Sequence, residues 1–442
     1  MTVLILNRGP LAKRVYHEWL ADYPGPLLLL TSQESLDAYG EELPATGYLR
    51  AVAVTDYEAP GTIEASALEL AGEHRIEYVI ATMEADLERA GHLRDRLGLP
   101  GQSEASARAF RDKLVMKRHA TAAGIPVAEH APVGTAEEVR AFAEAHGFPL
   151  VLKVRDGFSS IGQRILHSAE ELEGHLADHP ELPANLLAEA FVHGSMFHVD
   201  GMILDGAVAA AWPSQYLYQL GSFGQDDKPR LDVTLDRDDP LGRRLLAFVD
   251  EVVAALPTPA DTTFHAEVFH TPDDRLVLCE IASRNGGALI KSVLETLYDV
   301  DFPVSWVRVA AGLPIPVPRG GERMVPGRLA GQLLILKRPG LLRSLPGRPP
   351  FDWVTAYEQY VEPGRWSAGA ASSGDFMVAM VIGGPDRATV EARLGEAAEW
   401  FESRVVIEPG PEVCEPPSTG SGPAEGAPAT DATPLTEKEP AA

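Results

Sequence analysis

The chain has 442 residues, a length that accommodates two to four domains of ordinary size. Apolar residues make up 45% of it, which is enough to build sizeable hydrophobic cores. Its 38 Lys and Arg against 64 Asp and Glu leave a net charge of −26. A surface this acidic repels a phosphate backbone and an anionic lipid surface, so we expect neither a nucleic-acid partner nor a membrane.

Two cysteines in so long a chain exclude a scaffold held together by many disulfides. No apolar run reaches the roughly 18–20 residues of a membrane-spanning helix. The first apolar run precedes the first charges, which is the reverse of the order in a signal peptide. We therefore expect a cytoplasmic protein.

Residues 1–105 alternate apolar runs with helical stretches. The runs Thr2–Asn7, Pro26–Leu30 and Tyr78–Ala81 are typical of buried parallel strands, and the pattern predicts a helix over Leu11–Leu20. Strands that alternate with helices form a parallel sheet through right-handed crossovers. This part of the chain is therefore predicted to be a small, doubly wound α/β domain.

Residues 106–325 mix helices with antiparallel hairpins, which predicts an α+β domain. One predicted hairpin joins Phe197–Ile203 to Ala207–Ala211 around an Asp-Gly turn. A second joins Phe264–Phe269 to Leu276–Ile281.

Residues 326–410 contain two apolar strands, Leu329–Leu336 and Met377–Ile382, and a helix over Ala388–Phe401. They are predicted to form a small α+β lobe. Residues 411–442 lack aromatic side chains and are rich in Pro, Gly, Ala, Thr and Glu. Such a segment buries too little apolar surface to offset the entropy cost of ordering, so we expect a disordered tail.

Lys153 lies inside the apolar strand Pro149–Val154, which a Gly/Ser turn and a returning strand follow. Burying a lysine costs desolvation unless the amine reaches solvent or meets an anion. Two interpretations stay open. Lys153 faces solvent from a half-exposed strand, or the strand–turn–strand unit folds over phosphates, to which it offers backbone N–H and hydroxyl donors.

Glu267 and Glu280 each interrupt an apolar strand of the second predicted hairpin. Alternation along paired strands can bring both carboxylates to one face, where they repel each other unless a cation lies between them. Mg²⁺ prefers such oxygens together with substrate phosphates. The alternative is two separate surface or salt-bridged acids. Arg284 and Asn285 follow directly, and an arginine there is suited to bidentate contact with a carboxylate or phosphate.

Neighbouring polar side chains receive simpler interpretations. His198 and His265 lack the spacing of a zinc site and are expected to pack or to face a substrate. Cys279 is expected to be a small buried residue rather than a nucleophile. Lys113 and Lys117 would by default form a solvated helix face.

Taken together, five segments in this order resemble the ATP-grasp superfamily of carboxylate–amine ligases, and especially its dipeptide-forming L-amino-acid ligases. The resemblance covers about Thr2 to Glu408. It implies an ATP-grasp fold with an N-terminal α/β domain, a central two-lobed domain and a C-terminal α+β lobe. The segments are YVIATMEADLERAGHLRDRLGLPG, RDKLVMKRHATAAGIPV, PLVLKVRDGFSSIGQRIL, LLAEAFVHGSMFHVDGMILDG and FHAEVFHTPDDRLVLCEIASRNGG.

The resemblance implies that ATP binds in the central domain and that Lys153 also takes part in catalysis. The residues it assigns to ATP contact the phosphates, cover them or hold the adenine. They are Lys113 and Lys153 for the phosphates, Ser159, Ser160 and Gly162 for the covering loop, Glu189 for the hinge near adenine, and the backbone of Ala190 and Val192 for the base edge.

By the same resemblance, Glu267 and Glu280 are the ligands of Mg²⁺, with Mn²⁺ as an alternative. Arg284 matches the arginine that dipeptide-forming ligases place at the reacting carboxylate. Many members carry Glu-x-Asn at the second metal strand, whereas this chain has Ala282 in the place of that asparagine. Asn285 is the candidate to replace it as a metal ligand.

A second departure concerns the ribose of the nucleotide, because Met196 stands where members carry the acid that holds its hydroxyls. Residues 212–230 mix aromatic with polar side chains and are either the lining of a substrate pocket or a surface excursion. The implied partners are a small carboxylate and an amine, amino acids first among them. Related ligases are often dimers, so a homodimer stays open by analogy.

The implied reaction is ATP-dependent amide or peptide bond formation through an acyl phosphate. One alternative is a carboxylase like biotin carboxylase, which shares the three-part plan. This chain, however, has no Met-Lys-Met segment for biotin, and its glycine loop is shorter. The other alternative is an ATP-binding regulatory protein without catalysis, which would suit the two departures but not the retained lysines, glutamates and arginine.

Overall fold

The computed structural model describes residues 2–157, 162–218, 228–372 and 374–409. Ser159 and Ser160 of the predicted phosphate-covering loop lie outside these ranges, as do residues 219–227 of the predicted substrate segment. The predicted tail, residues 411–442, also lies outside them.

The N-terminal part is a parallel sheet, as predicted, and its strand order is β3-β2-β1-β4. Its strands are β1 (Thr2–Asn7), β2 (Leu27–Ser32), β3 (Arg50–Val54) and β4 (Ile76–Ala81), and its helices are α1 (Tyr16–Trp19), α2 (Gln33–Tyr39), α3 (Thr62–Glu73), α4 (Leu87–Leu97) and α5 (Glu104–Ala109). Both faces are covered, because Leu4 and Leu6 of β1 enter one hydrophobic cluster while Val3 and Ile5 enter another. Strand β1 is therefore apolar from Val3 to Leu6 rather than alternating.

The predicted continuous helix over Leu11–Leu20 is wrong. A 3₁₀ turn covers Leu11–Lys13, and Arg14 then adopts φ −136° and ψ 67°, outside the helical region. The break turns the Tyr16 ring into the core, where its hydroxyl lies 2.9 Å from Thr82 Oγ1. Strand β3 was not predicted because, with an arginine and two alanines in a partly exposed position, it has no strong apolar run.

The next segment is an antiparallel sheet in the order β5-β8-β6-β7. Its elements are α6 (Lys113–Ala122), β5 (His130–Val133), α7 (Ala136–His146), β6 (Leu150–Val154), β7 (Arg164–Leu166), α8 (Ala169–Asp178) and β8 (Leu186–Ala190). Phe142 of α7 and Leu172 of α8 share a hydrophobic cluster with Leu150 and Leu152 of β6. One face of the sheet is thus covered by helices, which leaves the other face for a ligand.

An eight-stranded antiparallel sheet follows, in the order β13-β12-β9-β10-β11-β14-β18-β16. Both predicted hairpins are present in it, as the pairs β9–β10 and β12–β13. The elements up to residue 325 are β9 (Ser195–Leu204), β10 (Ala207–Tyr216), β11 (Arg230–Thr234), α9 (Pro240–Ala255), β12 (Thr262–His270), β13 (Leu276–Ala282), α10 (Ile290–Tyr298) and α11 (Phe302–Ala310). Helix α9 covers one face of β9 and β12 through a shared hydrophobic cluster.

The strands of the predicted C-terminal lobe divide between two sheets. The elements here are β14 (Leu329–Leu336), β15 (Pro339–Ser344), β16 (Val354–Gln359), β17 (Trp366–Ala368), β18 (Phe376–Gly384), α12 (Arg387–Glu402) and β19 (Val406–Glu408). Strands β14, β18 and β16 extend the eight-stranded sheet, whereas β17, β15 and β19 form a small sheet of their own. The boundary near residue 325 stays a prediction, and it does not coincide with a break in the large sheet.

Helix α11 ties the N-terminal sheet to the rest of the chain. Val307 of this helix and Ala311, which follows it, share a hydrophobic cluster with Val3, Ile5 and Ile80 of the parallel sheet. Within the described ranges, no helix is long and apolar enough to cross a membrane.

Candidate active site

A cavity of about 830 Å³ lies between the four-stranded sheet and the eight-stranded sheet. It is bounded by β6 and β7 on one side, by β12, β13 and β14 on the other, and by the segment after β8 at one end. Eight predicted site residues line it together: Lys113, Lys153, Glu189, Ala190, Val192, Glu267, Glu280 and Arg284.

Two other predicted residues are described but are not among the lining residues of this cavity. Gly162 has φ +72°, a left-handed conformation that favours glycine, and a Cβ there would lie 3.2 Å from Val154 Cγ2. Asn285 has a buried Oδ1 with no hydrogen-bond partner in the described part of the chain. Its predicted role as a metal ligand stays a prediction.

Glu189 lies at the base of the cavity, between two lysines. Its Oε1 is 2.9 Å from Lys153 Nζ and 3.3 Å from Lys117 Nζ. The Lys117 side chain has no exposed surface, so the expectation of a solvated position is wrong. The signal that could have revealed it is the spacing to Lys113, because residues four apart lie on one helix face.

The charges of this trio depend on one another. Burial favours the neutral carboxylic acid, but the two lysines outweigh it and lower the pKa of Glu189. Burial works against the charged form of Lys153 as well, and the Glu189 carboxylate outweighs it, so that the pKa of Lys153 is raised. For Lys117 burial prevails and its pKa is lowered. Lys153 therefore presents a firmly held positive charge to the cavity.

Lys113 reaches the cavity from the first turn of α6. The Asp112 side chain caps this helix by accepting from the N–H groups of Leu114 and Val115, and it also pairs with Arg155. Lys113 Nζ donates to the Gly157 carbonyl at 2.8 Å and lies 3.1 Å from Glu280 Oε2. Capping thus fixes the start of the helix that carries Lys113, the second lysine that lines the cavity.

The two acids lie directly opposite each other, since Glu267 on β12 pairs in register with Glu280 on β13. The register then shifts, so that Cys279 is an extra residue between the paired positions. Such a bulge re-aims side chains, and both Cys279 and Glu280 line the cavity. On β12, Phe264 packs under α9 while Glu267 faces the cavity, as strand alternation requires.

These carboxylates fit a divalent cation by their chemistry. Burial raises the pKa of Glu280, but the nearby charges of Lys113 and Lys153 outweigh it and lower the pKa to about 2. Glu267 Oε1 accepts a hydrogen bond from the Tyr216 hydroxyl at 3.1 Å. An ionised carboxylate facing a second one across paired strands supplies the oxygen donors that Mg²⁺ takes alongside substrate phosphates.

Cys279 is not activated as a nucleophile. Burial raises the pKa of its thiol to about 12. The thiolate, which is the reactive form, is therefore scarce at neutral pH.

A buried chain of acids and imidazoles continues from Glu267 beneath the cavity. Asp200 accepts from His198 Nδ1 at 2.5 Å through one oxygen and from His265 Nδ1 at 2.8 Å through the other. His265 Nε2 lies 3.7 Å from Glu267 Oε1, and His198 Nε2 lies 3.7 Å from Asp232 Oδ2. Sequence reasoning missed the central role of Asp200, because one of its two partners, His265, lies on another strand.

The imidazoles of His198 and His265 are charged. Burial lowers the pKa of each histidine, but the Asp200 carboxylate outweighs it, and the pKa rises to about 10 for His198 and about 9 for His265. The three side chains could also surround a metal ion. Their N···O separations are those of charge-assisted hydrogen bonds, so we interpret them as an ion-pair network.

The segment after β8 forms one end of the cavity. The Ala190 N–H donates to the Glu129 carbonyl at 2.9 Å, so a contact of Ala190 with a base edge would be left to its carbonyl. Met196, which stands where a ribose-binding acid was expected, is buried and lines the cavity. Gly194 has φ +156°, and a Cβ there would lie 2.4 Å from the His270 carbonyl oxygen, so the backbone can pass so close to β12 only at a glycine.

Part of the cavity wall is apolar. Leu334 and Leu336 of β14 line it together with Phe376. Tyr218 and Arg230 line it from the predicted substrate segment, with the guanidinium 5.5 Å from the ring centroid. The described parts of residues 212–230 therefore contribute to the cavity wall.

Arg284 lines the cavity while its guanidinium is held from behind. Its Nε and Nη2 both lie 2.7 Å from Glu84 Oε2, in the N-terminal part of the chain. Sequence reasoning missed Glu84, since 200 positions separate the two residues and no local pattern connects them.

Comparison with known proteins supports this architecture, although no protein-family model matches the chain. An L-arginine-specific L-amino acid ligase from Bacillus subtilis is 26% identical over 249 residues, which are 53% of this chain and 58% of the relative. The match thus spans little more than half the length of that curated relative.

Solved structures match over nearly the whole chain. An L-amino acid ligase from Bacillus licheniformis aligns with a TM-score of 0.72 at 16% identity, covering 93% of this chain and 99% of that one. The biotin carboxylase domain of 2-oxoglutarate carboxylase from Hydrogenobacter thermophilus gives 0.63 at 17% identity, covering 92% and 91%. The chain therefore has the ATP-grasp fold, and among proteins with this fold it resembles the L-amino-acid ligases.

Proposed function

We propose that the protein is an ATP-dependent carboxylate–amine ligase, which forms an amide or peptide bond and releases ADP and phosphate. One observation carries the proposal. Glu267 and Glu280 face each other in register at a cavity that Lys113, Lys153 and Arg284 also line. Two acids to hold a cation, two lysines for phosphates and an arginine for a carboxylate are the groups that phosphoryl transfer to a carboxylate requires.

ATP would occupy the cavity with its base near Ala190 and Val192 and its phosphates toward the lysines. Glu267 and Glu280 would hold Mg²⁺, or Mn²⁺ in its place, and the ion supplies charge neutralisation at the phosphates. Lys113 and Lys153 contribute positive charge at the same phosphates. Catalysis of this kind depends on positioning and on charge stabilisation more than on covalent chemistry by the protein.

The reaction then proceeds in two steps. A carboxylate oxygen of the first substrate attacks the γ-phosphorus, ADP leaves, and an acyl phosphate forms. The amine of the second substrate attacks the acyl carbon, loses a proton, and inorganic phosphate leaves with one former carboxylate oxygen. Arg284 stabilises the negative charge of the carboxylate and of the tetrahedral intermediate.

Amino acids are the substrate class to test first, because the Bacillus subtilis relative is named for L-arginine and for amino-acid ligation. The wall formed by Leu334, Leu336 and Phe376 would suit an apolar side chain. We place the reaction in the cytoplasm, where ATP and free amino acids are available. Measurement of the mass in solution tests whether the protein forms the homodimer suggested by analogy with related ligases.

The test measures ADP release from Mg-ATP with pooled amino acids and small carboxylic acids, alone and in pairs. We expect ADP only when an acid and an amine are both present. Glu280→Ala should abolish it. The matched control is Glu170→Ala, which removes an exposed acid of α8 and should leave the rate unchanged.

Two results would contradict the proposal. ADP release that depends on bicarbonate and needs no amine would favour a carboxylase of the biotin-carboxylase type. ATP binding seen by calorimetry with no turnover in any mixture would favour a regulatory ATP-binding protein.

A further inference from the structure

Glu84 has no role in the proposed function, yet it contacts the arginine placed at the reacting carboxylate. It begins the 3₁₀ turn Glu84–Asp86 that follows β4 of the parallel sheet. Its Oε2 accepts from Arg284 Nε at 2.7 Å and lies 2.7 Å from Arg284 Nη2. The side chains are 17% and 19% exposed, so water screens this contact only partly.

Glu84 is itself held in place on its other side. Its Oε1 lies 3.1 Å from Arg111 Nη1, and the Arg111 side chain is 10% exposed. Arg111 directly precedes Asp112, which caps the helix that carries Lys113. Glu84 is therefore fixed between the start of the nucleotide-binding segment and Arg284, and it does not swing freely.

Counting donors shows what this contact leaves for a substrate. An arginine has five N–H groups. In Arg284, Nε–H donates to Glu84 Oε2, Nη2 lies 2.7 Å from the same oxygen, and Nη1 donates to the Asn285 carbonyl at 2.9 Å. Even if Nη2 gives one N–H to Glu84, three of the five N–H groups are engaged. One N–H remains on each terminal nitrogen, and two such groups form the fork that matches a carboxylate or phosphate.

We propose that Glu84 is a positioning residue, which orients the Arg284 guanidinium so that this remaining fork faces the substrate carboxylate. The inference rests on the proposed function and extends it by giving the N-terminal sheet a part in the chemistry. Arg284 is also attracted by the carboxylates of Glu280 and Asp200. Without Glu84, its guanidinium would turn toward Glu280 and compete with the cation for that carboxylate.

The test compares three substitutions, Glu84→Ala, Glu84→Gln and Glu84→Asp, in the full chain. For Glu84→Ala and Glu84→Gln we expect kcat for acid- and amine-dependent ADP release to fall on the order of 100-fold, as for a misplaced reacting group. The KM for ATP should stay within about twofold, since Glu84 does not touch the nucleotide side of the cavity. Glu84→Asp keeps the charge and should recover part of kcat.

Glu88→Gln is the matched control, because it removes another carboxylate near Arg111 and should leave kcat unchanged. Thermal unfolding of every variant shows whether it is folded. If Glu84→Ala does not fold, Glu84→Gln, which keeps the side-chain shape, replaces it in the test. The Mg²⁺ concentration for half-maximal rate should rise in Glu84→Gln, a change that a merely structural role does not predict.

Three results would overturn the inference. If the wild type is active and the folded Glu84→Gln variant keeps its kcat, the positioning role is wrong while the proposed function is unaffected. Equal losses of kcat and of ATP affinity would show a general structural role. A wild type that makes no ADP with any acid–amine pair overturns the proposed function, and the inference with it.

Discussion

Replacing Glu189 by Gln removes one negative charge from the base of the cavity and leaves the side-chain shape unchanged. Two lysines then lose their shared partner, with Nζ atoms 2.9 and 3.3 Å from its Oε1 in the native protein. Their side chains are 9% and 0% exposed, and the Lys117 ammonium, which has no exposed surface, cannot be hydrated in place. Breaking a buried ion pair in this way costs about 3–5 kcal/mol.

The structure also limits this cost from above, because Lys117 can shed its proton. Its ordinary pKa of 10.5 lies 3.5 units above pH 7. At ~1.36 kcal/mol per unit, neutralising it costs about 4.8 kcal/mol, which is the upper limit for relieving one unpaired lysine. The folded variant then binds fewer protons than the unfolded chain, so its stability rises with pH. We expect the deficit to shrink as the pH rises above 7, by at most about 1.4 kcal/mol for each pH unit, because the pKa of Lys117 is already lowered in the wild type.

Urea unfolding of the wild type and of Glu189→Gln at pH 7 and pH 9 measures both quantities. The control is Glu173→Gln, which removes an acid paired with Arg140 at 2.7 Å on the surface, where water and salt screen the pair. A Glu189→Gln variant that costs no more than this control would show that the two lysines do not depend on Glu189. A deficit that is the same at both pH values would show that Lys117 does not lose its proton in the variant.

Substitutions in the site and in the core have four further expected outcomes. Glu280→Ala should bind Mg-ATP more weakly and release no ADP, and a variant that still turns over would contradict the assignment of this carboxylate to the cation. Tyr216→Phe removes the hydroxyl that donates to Glu267 and should raise the Mg²⁺ concentration for half-maximal rate about 10-fold; an unchanged requirement argues against this contact. His198 has a folded pKa of about 10 against an ordinary 6.5, so its stabilisation is complete below pH 6.5 and disappears as the pH rises through 10. The stability difference between wild type and His198→Gln should shrink accordingly in unfolding experiments from pH 7 to pH 10. Phe264→Ala empties a fully buried position beneath α9 and should lower the free energy of unfolding by about 3–5 kcal/mol, as measured with urea. A smaller loss would mean that neighbouring core side chains move into the space that the ring leaves.

The juxtaposition of the two acids at the cavity could be predicted from the sequence because a hairpin carries its own register. A short loop joins the two strands, and strand alternation then decides which side chains share a face. Glu267 and Glu280 accordingly lie opposite each other in the structure. The extra residue at Cys279 was not predictable, since a bulge depends on the partner strand as much as on its own sequence.

Contacts between segments far apart in the sequence could not be predicted from it. Glu84 meets Arg111 and Arg284 only because the parallel sheet packs against the central domain. Asp200 gains its role from histidines on its own strand and on the next one in space. Lys117 shows the limit of composition-based reasoning, because a charged helix residue is usually solvated and here an anion lies within reach.

The sheet that the C-terminal strands join could not be predicted from the sequence either. Leu329–Leu336 has the apolar run of a buried strand, and the structure confirms that element. Its neighbours, β11 and β18, were not evident, because an apolar run specifies burial and not a partner. The eight-stranded sheet therefore crosses the boundary that the sequence pattern suggested.

In the proposed mechanism, a substrate carboxylate becomes an acyl phosphate in this cavity. The most direct measurement supplies the protein with Mg-ATP, an amine and amino acids labelled with ¹⁸O in the carboxyl group, and determines the mass of the released phosphate. One labelled oxygen in each phosphate is the predicted result, because the former carboxylate oxygen leaves with phosphorus. Unlabelled phosphate, released while an amide forms, would contradict the account.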